Sequence, residues 1–340
     1  MHKSVLLKET IEILNPQPGE FFIDGTLGSA GHAIEIIKRI SPNGIFLGID
    51  WDKEAIAKCK SQIANRKNVI LVNGNYADLP EILRQKKLGR ADGLLLDLGM
   101  SSEQLEKSGR GFTFQKNEPL DMRYDTQITA GSEILDERAL RGSIADQRES
   151  ATAVINNRSE KELADIFFKY GEERFSRQIA RKIIEERKKK PMETTFDLVE
   201  IIQKAIPPSH CHRHSHRQIH PATRVFQALR IYVNDELGNL EKLLKNLDKI
   251  IKNKPSSEIS AGPPKADKNV ICRNSTTGKG RVAIISYHSL EDRLVKNYFR
   301  ELKNQGKAVI LTKKPIKPTF EEIRQNPRAR SAKMRTLLMY

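Results

Sequence analysis

A chain of 340 residues with 38% hydrophobic content can bury a sizeable core, and no apolar run approaches the roughly 18 residues of a membrane span. Its 59 Lys and Arg exceed its 43 Asp and Glu, and the charge of +16 favours a polyanionic partner such as nucleic acid over an acidic small molecule. Cys59, Cys211 and Cys272 stand far apart with no CxxC pair, which argues against a disulfide framework or a four-cysteine zinc site and fits a reducing compartment.

The opening stretch MHKSVLLKETIEILN has neither a signal-peptide apolar region nor an acid-poor transit composition, so a cytoplasmic location is expected. FFID (21–24) reads as the first strand. It ends at Asp24 and runs into a turn with Gly25, Gly28 and Gly31 at every third position. Ala33, Ile36, Ile37 and Ile40 then recur at helical spacing. IFLGID (45–50), VILVNG (69–74) and DGLLLDLG (92–99) give three more strands separated by helical segments, the pattern of a parallel sheet covered by helices.

About 180 residues without a convincing strand follow, far too many for one crossover. Residues 111–215, helix-rich and strongly charged, are expected to form a mostly α-helical domain inserted into a sheet domain made of 1–110 and 216–340. Leu198, Ile201, Ile202 and Ala205 mark one of its helices. The longest helix is expected from near Thr223, with Leu237, Leu240, Leu244, Leu247 and Ile251 on its apolar face. Residues 253–280, rich in Pro, Ser, Lys and Gly, read as a flexible surface loop whose removal should leave the chemistry intact. Its TTGKG is no phosphate loop, because no Ser or Thr follows Lys279 and no strand leads in. RVAIISY (281–287), AVILT (308–312) and MRTLLMY (334–340) complete seven strands.

A glycine turn between a strand and a helix brings backbone N–H groups close to a ligand. A dinucleotide turn would read GxGxxG, whereas this one reads GxxGxxG with Leu27 in place of the middle glycine. Asp50, ending the second strand, could hold the ribose diol of either NAD or S-adenosylmethionine. Asp97 ends the fourth strand and supplies a third strand-end acid beside Asp24 and Asp50. That surplus of negative charge suits a cofactor carrying an ammonium and a sulfonium better than it suits hydride transfer. Two competing classes are a dinucleotide-dependent oxidoreductase and a non-catalytic RNA-binding scaffold.

HKSVLLKETIEIL, DGTLGSAGH, GNYADL, DGLLLDLGMSSEQL, RGFTF, PLDMRYD, YGEERFSRQIARKI, HPATRVFQALRIYVNDEL, ISYHSLEDRLVK and NPRARSAKMR, in this order along nearly the whole chain, resemble the bacterial 16S ribosomal RNA cytosine-N4 methyltransferase family. The resemblance implies an α/β, seven-stranded, Rossmann-like S-adenosylmethionine-dependent fold with a helical insertion. It also implies action on the N4 amine of cytosine 1402, in bacterial numbering, of the small ribosomal subunit. Carried over residue by residue, it places cofactor contacts on Ala30, Gly31, His32, Asp50, Tyr76, Asp97 and Gln104, with Asp24 and Gly28 beside them in the turn. Ala30 stands where the family usually has glycine, and Tyr76 where it often has Phe.

By analogy with amino-methyltransferases of this fold, Asp97 and the Leu98–Gly99 carbonyls are expected to bind the target amine. Asp121, Arg123, Ser286 and His288 are further candidates for positioning the base. In-line methyl transfer needs no metal. RNA contacts are expected on Arg174, Arg177 and Arg181, opposite Phe175 and Ile179, and on Arg328, Arg330, Lys333 and Arg335. His210, His212, His214, His216 and His220 crowd around Cys211 but lack zinc-site spacing, and only His220 fits the family pattern. Specificity should come from RNA shape, so assembled or nearly assembled small subunits are the expected substrate.

Overall fold

Each of the seven apolar runs forms a strand: β1 (Phe21–Asp24), β2 (Ile45–Asp50), β3 (Val69–Asn73), β4 (Gly93–Asp97), β5 (Gly280–Ser286), β6 (Ala308–Ile310) and β7 (Lys333–Met339). The structure, a computed structural model, describes residues 4–63, 66, 68–100, 105, 108–124, 149–207, 220–253 and 279–340. The strands lie in one sheet of order β3-β2-β1-β4-β5-β7-β6. The first five are parallel to their neighbours, and β7 runs antiparallel between β5 and β6.

Side chains alternate between two apolar layers. Leu94 and Leu96 of β4 join Val282 and Ile284 of β5 in one, while Leu95 joins Ala283 and Ile285 in the other. Burial on both faces explains why the runs are continuously apolar and not alternating. Helices α1 (Leu7–Leu14), α2 (Gly31–Ile40) and α3 (Lys53–Ile63) fill the second layer, and α4 (Leu79–Gln85) the first. The chain leaves β1 toward β2 on one side and returns to β4 on the other. The C-termini of β1, β2 and β4 therefore meet at the point where strand order reverses, the place where open α/β sheets bind ligands.

The chain divides into one unit of residues 1–100 with 237–340 and a second of residues 101–236. In the second, α5 (Ala151–Asn157), α6 (Glu160–Gly171), α7 (Ser176–Arg187), α8 (Thr195–Ala205) and α9 (Ala222–Asn234) surround buried Leu163, Phe167, Ile179, Ile183, Leu198, Ile202 and Leu229. Reciprocal capping boxes, Ser159 with Glu162 and Thr194 with Asp197, start α6 and α8.

Two features differ from the sequence expectation. The long helix from Thr223 is three: α9, α10 (Glu236–Lys245) and α11 (Leu247–Ile250). Asp235, at φ 46°, turns left-handed between the first two. The seam between units follows that break, so residues 216–236 group with the helical unit and not with the sheet. Helices α12 (Ser289–Asn304) and α13 (Phe320–Gln325) complete the sheet unit. Among the described residues no helix is long and apolar enough to cross a membrane. Residues 254–278, Gln104, and His210 to His216 with Cys211 lie outside the described residues.

Candidate functional site

The glycine turn that follows β1 is pinned from both sides by β2 and β4. Gly25 N–H donates to Leu95 O, Leu27 N–H to Ile49 O, and Asp97 N–H to the Thr26 hydroxyl at 2.6 Å. Gly25 has no room for a side chain, since a Cβ would stand 2.5 Å from Leu96. Gly28 takes φ +50°, and its N–H donates to Asp50 Oδ2 at 2.7 Å. A Cβ on Gly31 would meet Ser4 Oγ at 2.0 Å, so the N-terminal arm lies against the turn.

Ala30 caps α2 with φ 61° and ψ 14°, a left-handed conformation that costs an L-residue with a Cβ about 1–2 kcal/mol. Ala30→Gly should therefore raise stability by up to about 1 kcal/mol after the added freedom of the unfolded chain is subtracted. A rise in the denaturant midpoint would show this, and a fall would mean that the methyl packing outweighs the strain.

Asp24 and Asp50 are buried at the ends of β1 and β2. Burial pushes the Asp24 carboxyl up to about 7, with the charges of Asp97 and Asp50 adding to the shift and the Thr26 N–H opposing it. Burial likewise raises Asp50 to about 6, against the amides of Asp52 and Gly28 that hold its ionised form. Asp50 accepts the Gly28 N–H on Oδ2 and the Asp52 N–H on Oδ1. Two acids made costly to ionise by burial suit a ligand that brings positive charge. The acidic character of the crevice thereby fits a sulfonium cofactor.

Asp97, half-buried at the end of β4, accepts the Tyr287 hydroxyl on Oδ1 at 2.8 Å, and its Oδ2 lies 3.9 Å from His32 Nδ1. His32 is fixed from its other side, with Nε2 3.1 Å from Val5 O. Burial and the neighbouring Asp97 charge push the Tyr287 phenol far above its ordinary range, so it stays a neutral donor. Its ring occupies the space over Gly99, where a Cβ would come within 2.7 Å of it. Cys59 donates its thiol to Gly28 O at 3.3 Å, and burial raises it to about 11, which makes it an inert packing group.

Tyr76, just after β3, lies nearly parallel to Trp51, with ring centroids 6.4 Å apart. Asp24, Gly28, Ala30, Gly31, His32, Asp50, Tyr76 and Asp97 all fall in the sheet unit, on the turn or at the strand ends. Ser286 is less available than expected, because its hydroxyl donates to Lys333 O across the β5–β7 ladder. His288 caps α12, with Nε2 3.1 Å from Glu291 Oε1. This is the role of a hydrogen-bonded histidine at a helix start. Asp121 and Arg123 stand in the helical unit, paired with each other at 2.6 Å.

Of the expected RNA contacts, Arg335 and Lys333 are held by Asp292, at 2.7 and 3.4 Å, and belong to the sheet edge. Arg328 and Arg330 are exposed on the short 3-10 turn Pro327–Ser331, and Arg174, Arg177 and Arg181 are exposed in the helical unit. Opposite them Ile179 is buried, as the helical spacing requires. His220 stacks on Phe114 at 4.7 Å, and burial lowers its pKa, so it packs as a neutral ring. Sequence reasoning passed over Tyr287 and Val5, although ISYHSLEDR contains the first and the N-terminal motif the second.

The profile described as the MraW methylase family matches residues 1–259 and 270–339. Among curated proteins, the chain is 39% identical to the ribosomal RNA small subunit methyltransferase H of Coprothermobacter proteolyticus, over 98% of this chain and 94% of that protein. It is 40% identical to the protein of the same name from Syntrophotalea carbinolica, over 99% and 97% of the two chains. The Dictyoglomus thermophilum protein of that name is likewise 40% identical, over 98% and 95%.

Proposed function

The chain belongs to the MraW methylase family, and on that premise we propose that it methylates the N4 amine of cytosine 1402, in bacterial numbering, of 16S ribosomal RNA in the cytoplasm. The observation that carries the reading is the set of three acids at the C-termini of β1, β2 and β4 around a glycine turn. S-adenosylmethionine supplies an electrophilic methyl group on its sulfonium when bound. Gly28, Ala30, Gly31 and His32 present the turn to it, Asp50 takes its ribose hydroxyls, and Tyr76 lies against its adenine. Asp24 and Asp97 offset its positive charge in a partly desolvated crevice.

Cytosine N4 is a weak nucleophile, because its lone pair is conjugated with the ring. Asp97 accepts a hydrogen bond from the amine, which turns the lone pair toward the methyl carbon, stabilises the positive charge that builds on nitrogen, and takes the proton that the amine must shed. Tyr287 holds the Asp97 carboxylate in one orientation through its 2.8 Å hydrogen bond and favours its ionised form. The helical unit supplies substrate recognition through its basic faces. No metal enters the scheme.

Incubating the purified protein with S-adenosylmethionine labelled in its methyl group and with small ribosomal subunits tests the reading. The label should appear in 16S RNA, and assembled or nearly assembled subunits should outcompete a short oligonucleotide of the same sequence at equal target concentration. A preference for the free oligonucleotide would remove shape as the source of specificity.

A further inference from the structure

Helices α6 and α7 border a cavity of about 560 Å³ within the helical unit, lined by Asp165, Phe168, Arg174, Arg177, Gln178 and Arg181 among others. That volume falls in the range of small-ligand pockets, roughly 300–1,000 Å³. On α6, Leu163, Ile166 and Phe167 are buried, whereas Phe168 turns outward and is 66% exposed. Phe168 shares a face with Ala164, one turn back along the helix, and that face forms one wall. Arg174, Arg177 and Arg181 follow at three- and four-residue steps and line the same cavity.

Arg174 and Arg177 have no carboxylate partner among the described residues. Arg181 meets Glu160 only at 3.7 Å, with both side chains well exposed, a contact of little energetic weight. Three guanidinium groups against the single acid Asp165 leave the lining cationic. An exposed aromatic ring and guanidinium groups that line one cavity combine the two elements by which proteins hold unstacked bases and their phosphates. An acidic peptide would use the arginines and leave the ring without a role.

We propose that this cavity holds one unstacked nucleotide of the substrate RNA, with its base on Phe168, its phosphates on Arg174 and Arg177, and Gln178 at the base edge. The proposal rests on the reading of the substrate as ribosomal RNA and adds a second anchoring point, within the helical unit, to the target cytosine itself.

Full-length Phe168→Leu, Phe168→Trp and Arg174→Gln/Arg177→Gln proteins test it, with small-subunit RNA as the probe and binding measured without cofactor. Phe168→Leu should weaken binding about 5- to 100-fold, the usual loss of one stacked base. Phe168→Trp should restore affinity and show quenched fluorescence on binding. The double arginine variant should bind more weakly and lose roughly two units of salt slope. All three should keep wild-type S-adenosylmethionine affinity, and Phe168→Leu should raise the KM for RNA while leaving kcat at saturating RNA unchanged. Unchanged RNA affinity and salt slope with unquenched tryptophan would overturn the proposal, as would quenching by ribosomal proteins in place of RNA. Failure of the substrate reading would look different, because wild-type protein would then transfer no methyl to small-subunit RNA.

Discussion

Asp97→Asn lowers kcat by about 100-fold or more, the scale of losing an acceptor aimed at charge that develops in the transition state, while S-adenosylmethionine affinity falls only a few-fold. Asn keeps the size of the side chain and one acceptor oxygen for the Tyr287 hydroxyl, so the fold has no reason to change. It loses the negative charge and presents an NH2 group where the target amine needs an acceptor. Single-turnover rates at saturating cofactor separate the two effects, and equal losses in rate and affinity would make Asp97 a cofactor ligand only. Tyr287→Phe supplies the companion result. Without the phenol donor the Asp97 carboxylate is less well held and easier to protonate. The rate should drop by about 10-fold, and the acid limb of the pH–rate profile should move to higher pH. A rate loss with an unmoved profile would assign Tyr287 to packing over Gly99.

Asp24→Asn should make the ligand-free protein more stable and the cofactor bind more weakly. An acid whose folded pKa is raised binds more protons in the folded state than in the unfolded state between the two values. Stability therefore falls as pH rises from about 4, the ordinary Asp value, through the folded value of about 7 for Asp24. Asn removes that penalty while its Oδ1 can still accept from Thr26 N–H. The gain at pH 8 is at most roughly 3–4 kcal/mol, from a shift of about three units, and should vanish below about pH 4. Cofactor affinity runs the opposite way. In the wild type it should rise as pH passes through the range about 6 to 7, where Asp50 and Asp24 ionise. In Asp24→Asn it should be about 10- to 100-fold weaker at pH 8 and depend less on pH. Paired thermal unfolding and calorimetry across pH read both quantities. A variant both less stable and unaltered in affinity would place Asp24 in the scaffold.

The strands were legible because sheet burial on two faces demands uninterrupted apolar runs. The strand-end places of Asp24, Asp50 and Asp97 were legible because each acid ends such a run. The breaks among residues 222–251 were not, since Asp235 interrupts the helix by backbone conformation alone, while Val225, Leu229 and Val233 before it and Leu237, Leu240 and Leu244 after it keep helical spacing. No glycine or proline marks the spot, and the domain seam placed before 216 missed the same break. The link between Asp97 and Tyr287 joins residues 190 positions apart, which periodicity cannot reveal. The Val5 carbonyl behind His32 is a backbone group with no sequence signature. Ser286, Lys333 and Arg335 looked available in their motifs because a motif does not show its partners. The β5–β7 ladder and Asp292 use them in the sheet unit.

The most direct test of the central claim is to locate the methyl group after reaction. Small subunits treated with the purified protein and labelled S-adenosylmethionine are digested, and the modified nucleoside is identified and mapped by mass spectrometry. The expected result is a single N4-methylated cytosine, at position 1402 in bacterial numbering, formed about 100-fold or more slowly by the Asp97→Asn protein. A methyl group on ring carbon, on ribose oxygen or on another nucleotide would contradict it.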